Sequence, residues 1–315
     1  MDIKKPEMLS GSGIVDFTVK KNPRKFYGIS PEKWNLASKL TQEEFERSAA
    51  FFSNIEELEY EDKLEVLSKA RNFLQINFRK EDPSSHLIKL SSFWKMPHGP
   101  KLLSEWFEWL VDGSKDGDLV KSIEDHIDPI LRMVEKFLEN KKGDDWAKKV
   151  EEVENNCTVN YGNTLLFQIF LIRELAKSWG NKGEKLIFIE GKDDIKNMSN
   201  QPFVHAVKLN RPGENDYEDA VVFSVRVGSS LVFDDVSLTQ GLASVIHLSF
   251  VFNLLYPTDC DDLFNFTQRI LCNFGPADGA RNPKGQLKRN FVDFQVALGS
   301  YMLTEKKAEI KQLFI

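Results

Sequence analysis

Cysteine is scarce in this chain of 315 residues, and what there is does not pair by spacing. Cys157, Cys260 and Cys272 are odd in number and form no CxxC, so neither a disulfide framework nor a zinc ribbon is supported. The first residues, MDIKKPEMLSGSG, hold no apolar run of the kind a secretory signal needs. These absences point to a reduced, intracellular, soluble protein, with cytoplasm and nucleus both open. No P-loop, Rossmann glycine fingerprint, HExxH, GxSxG or kinase signature occurs, which weighs against the common nucleotide-dependent and hydrolase classes. No repeat of fixed period is present either, which argues against a helical solenoid.

Charge is unevenly spread. Residues 1–30 carry six basic and three acidic side chains, whereas residues 31–160 carry 19 basic and 27 acidic ones. An acidic body does not suit broad wrapping by nucleic acid, which needs a basic surface. Two small basic clusters stand out as candidate nucleic-acid contacts: Lys20, Lys21, Arg24 and Lys25 near the start, and Arg281, Lys284, Lys288 and Arg289 near the end. The competing reading is that such an arm covers a core or stays solvated.

The rest of the chain is organised around 220–257. Val221, Phe223, Val225 and Val227 alternate with Val222, Ser224 and Arg226, and Leu231-Val232-Phe233 follow after Gly228-Ser229-Ser230, the pattern of a β-hairpin. A two-residue loop would set Arg226 opposite Leu231. A three-residue loop pairs Val227 with Leu231 and Val225 with Phe233 and keeps one face apolar, so three residues are expected. Ser237 with Gln240 reads as a capping box. The segment from Leu242 to Tyr256 is apolar on nearly all sides, the mark of a buried helix, with Pro257 ending it. It approaches the length of a membrane span, but neither flank carries Lys or Arg and no second span exists, so no membrane role is expected.

Helices are expected from Ser30 to Glu154, among them Pro100–Val111, Asp118–His126 and, capped by Asp128, Pro129–Asn140. Trp94, Trp106 and Trp109 crowd one stretch and read as helix-packing aromatics, a ligand cradle being the alternative. Thr164–Trp179 is a second apolar helix. Lys185–Glu190 and Phe203–Leu209 read as strands, Asp261–Cys272 and Phe291–Leu303 as helices. The expected division is a basic arm over 1–29, a helical region over 30–156 and an α+β region over 157–315, the last two packing as one body. The fold class is α+β, with a mainly helical N-terminal half and a small, mainly antiparallel sheet packed by apolar helices.

Chemistry is thinly signalled. Glu190-Gly191-Lys192 at a strand end resembles the spacing by which restriction-type nucleases hold Mg²⁺ on a carboxylate and stabilise phosphate charge with a lysine. Asp145 or Glu174 could supply the upstream acid. The plain alternative is a strand entering a turn. Asp234-Asp235 and Asp259, Asp261 and Asp262 lie at opposite ends of the apolar helix and read as carboxylates complementing helix dipoles. His86, His126, His205 and His247 are scattered, and His247 reads as a buried, hydrogen-bonded histidine, a catalytic base being the alternative.

Phe252-Asn253-Leu254-Leu255-Tyr256-Pro257 and the stretch from Phe264 to Ile270, with Gln268, resemble the C-terminal part of an animal protein group labelled sterile-alpha-motif-domain-3-like. The resemblance covers about residues 220–272, and no sterile-alpha-motif segment is evident. It implies two short strands leading into a helix and then a second helix, and a link to mobile elements, whose cargo the group resembles in copy number. It implies no activity and no catalytic residue. The sequence therefore reads first as a non-enzymatic intracellular interaction protein with protein partners and no cofactor. A Mg²⁺-dependent nuclease using Glu190 and Lys192, and nucleic-acid binding without cleavage, are the two alternatives.

Overall fold

A computed structural model describes residues 59–62, 98–111, 118–156, 165–194, 196, 199, 201–209, 220–252, 254–274 and 288–312. From Gly99 on, the described helices are α1 (Gly99–Leu110), α2 (Leu119–Lys142), α3 (Asp144–Asn156) and α4 (Leu165–Ser178). Strands β1 (Ile187–Ile189), β2 (Pro202–Leu209), β3 (Ala220–Val227) and β4 (Ser230–Val236) follow. Helices α5 (Leu238–Val251), α6 (Asp261–Phe266, continued by a π turn over Thr267–Leu271) and α7 (Arg289–Gln312) complete the described chain. The sheet order is β1-β2-β3-β4, with β1 parallel to β2 and the other pairs antiparallel. The fold is α+β, as the sequence suggests. Among the described residues one buried cluster has members from Leu102 to Leu298, so the helical and α+β regions share it.

α2 corrects one expectation. Two helices separated at Asp128-Pro129 were expected, but a single helix runs through Pro129. Asp118 caps it by accepting the Lys121 N–H at 3.1 Å. An interior proline costs about 3 kcal/mol. Against this stand Leu119, Ile123, Ile127, Ile130, Leu131, Val134 and Leu138, all buried at helical spacing. Each such side chain contributes on the order of 1.5–3 kcal/mol, so the stripe outweighs the break. Proline also sits off that stripe, where water can satisfy the carbonyl it leaves bare.

The hairpin corrects a second. Gly228 and Ser229 alone make the turn, with Val227 opposite Ser230 and Arg226 opposite Leu231, not the three-residue loop expected. The expected Val225–Phe233 pair is nevertheless present, because β4 slips by one residue between these pairings, and again before Phe223 meets Val236. Bulges thus reconcile a tight turn with an apolar inner face. Asp235, beside the second slip, has φ 48°.

α5 lies on the sheet. Ser237 caps it as read, its Oγ accepting the Gln240 N–H at 3.1 Å. Gly241 permits the approach, since a Cβ there would sit 3.2 Å from a Val204 methyl on β2. The helix stops at Val251, however, six residues before Pro257. Phe252 N–H bonds Leu248 O and Leu254 N–H reaches back to Ser249 O, closing the end, and Leu254–Pro257 leave in a non-helical path. The pre-proline restriction reaches only Tyr256, so Pro257 does not set this earlier end. Tyr256 then donates to Gln268 Oε1 at 2.6 Å, and its ring lies 4.9 Å from that of Phe264. The two phrases that carry the resemblance therefore meet as packing partners. Trp106 is buried against Phe252, in line with the packing role read for it. No helix among the described residues is long and apolar enough to cross a membrane.

Candidate functional site

The sheet edge at the end of β1 is where the one catalytic-looking pattern in the sequence falls. Glu190 and Gly191 enter a turn in which Lys192 and Asp193 N–H groups both reach Ile189 O, at 3.2 and 3.0 Å. Gly191 has φ 75°, which its lack of a Cβ makes inexpensive. Asp193, which the sequence places in this turn without a partner, holds it. Its Oδ2 accepts the Ile189 N–H at 2.7 Å, and its two oxygens take the Arg173 guanidinium of α4 at 2.6 and 3.0 Å. Glu190 Oε2 lies 3.2 Å from His205 Nε2 on β2. His205 is the register partner of Ser224 on β3, with Ser224 Oγ 3.4 Å from its Nδ1.

Glu190, His205 and Ser224 thus form a polar row across three strands. A neutral imidazole satisfies it throughout, donating from Nε2 to the carboxylate and accepting at Nδ1 from the hydroxyl. Burial holds the His205 pKa below its ordinary value, Arg226 adds to the effect, and Glu190 opposes it. The row has the composition of a nucleophilic relay, but Ser224 is 6% exposed in a strand paired on both edges. Its Oγ is shut away from a substrate carbonyl, so the row acts as a clasp joining the β1 turn to the sheet. A serine and a histidine nineteen residues apart carry no local signal of this meeting.

The remaining nuclease candidates go elsewhere. Glu174 on α4 sits between Lys142 at 2.6 Å and Lys149 at 2.9 Å. Burial works to raise its pKa, but the two lysines outweigh it and hold the carboxyl below the usual range. Asp145 is exposed in the first turn of α3, and Lys192 is exposed at the turn. Among the described residues no three His, Cys, Asp or Glu side chains gather as metal ligands.

Of the basic clusters, Lys20, Lys21, Arg24, Lys25, Arg281 and Lys284 lie outside the described residues. Arg289 is exposed and 3.6 Å from Asp293. Lys288 is tied inward. Its Nζ pairs with Asp261, lies 3.8 Å from Asp262 Oδ2 and donates to Thr258 O at 3.1 Å. Both aspartates occupy the first turn of α6, as read, but they are also buried. Asn181, after α4, donates to Asp262 Oδ2 at 3.1 Å and accepts the Leu263 N–H at 3.2 Å. Burial raises the Asp262 pKa, with Asp261 adding to it against Lys288 and Asn181. This lysine latch fastens α7 to α6 and α4. Compared with protein-family models, with curated proteins and with solved structures, the chain matches none.

Proposed function

We propose that the chain is a non-enzymatic intracellular interaction protein whose partners are proteins, with descent from a mobile element suggested by the resemblance over residues 220–272. One observation carries the reading. Most of the partly or fully buried charged groups are engaged in pairs that join elements: Glu174 with Lys142 and Lys149, Asp193 with Arg173, and Asp261 and Asp262 with Lys288. What is left facing outward is a helical surface rich in acid, such as Glu124, Asp125 and Asp128 on α2. Cys260 and Cys272 are free, buried thiols, which suits a reducing compartment.

The test has two arms. Purified protein is incubated with labelled single- and double-stranded DNA and RNA at low salt, with and without Mg²⁺ or Mn²⁺. Metal-dependent cleavage that disappears in Glu190→Gln would replace this reading with a nuclease, and steeply salt-dependent binding without cleavage would move the function to the basic clusters. The second arm captures partners from cell extract with the wild type and with Glu124, Asp125 and Asp128 changed to lysine. A protein partner lost on charge reversal is the expected result.

A further inference from the structure

We draw no further inference here: the strongest candidate, the apolar stripe of Val292 and Val296 on the side of α7 opposite its buried Phe291, Phe294 and Leu298, is an exposed helix face, and nothing in the structure shows what covers it.

Discussion

Lys288 and Asp261 form an ion pair that brings the start of α7 onto a buried carboxylate, with Asp262 3.8 Å from the same ammonium. Both aspartates are almost completely buried, whereas the lysine side chain is 43% exposed. Removing the lysine therefore strands two shielded carboxylates. Lys288→Met should cost about 3 kcal/mol in urea unfolding at pH 7. The same change made on an Asp261→Asn, Asp262→Asn background should cost less than about 1 kcal/mol. Equal costs on both backgrounds would show that the latch is packing and not charge.

His247 makes stability fall in mild acid. It lies inside α5, with its ring 4.6 Å from that of Phe107 and its Nε2 without a partner. Burial lowers its pKa to about 3, with a small opposing pull from Asp118. Because the folded pKa lies below the unfolded one, the neutral ring's contribution is complete above about pH 6.5 and is lost as pH falls towards 3. From this residue alone the protein should lose about 2 kcal/mol between pH 6.5 and 5. His247→Leu should flatten that limb while matching or exceeding wild-type stability at pH 7.5, as measured by urea titrations across pH.

Asp193 and Glu190 sit three residues apart and should respond very unequally to mutation. Asp193→Ala removes a bidentate arginine pair and an acceptor for Ile189 N–H, and is expected to cost about 2 kcal/mol. Arg173→Lys should lose much of the same amount, since lysine lacks the fork. Glu190→Gln changes an exposed side chain and should stay within about 0.5 kcal/mol, as thermal melts will show.

Pro129 offers the reverse sign. Pro129→Ala restores an N–H to the middle of α2 and removes a ring from the preceding turn. Unfolded-state entropy offsets part of the gain, so stabilisation of about 1–2 kcal/mol is expected. A loss of stability would mean that the proline ring itself packs.

Much of the local architecture was legible in the residues. The Ser237 cap, the buried character of α5, the four strands and the α+β class follow from period, capping chemistry and turn residues, all of which act within a few positions along the chain. Where two local signals competed, their order of strength was hidden. Pro129 marked a break that the α2 stripe overrode. The hairpin offered a tight turn or an apolar face, and β4 bulges supplied both.

The polar meetings were decided by tertiary structure alone. Glu190 read first as the end of a strand entering a turn, with a metal ligand as the alternative, and the fold sets it beside His205, which in turn faces Ser224 on a third strand. Lys288 stood in the sequence as one member of a basic cluster and a candidate nucleic-acid contact, and the fold sets it against Asp261 and Asp262. Ion pairs and hydrogen bonds act over about 3 Å, and only the packing of distant elements brings such groups that close. A residue's charge is written in the sequence, but the partner that determines its chemistry is chosen by the fold.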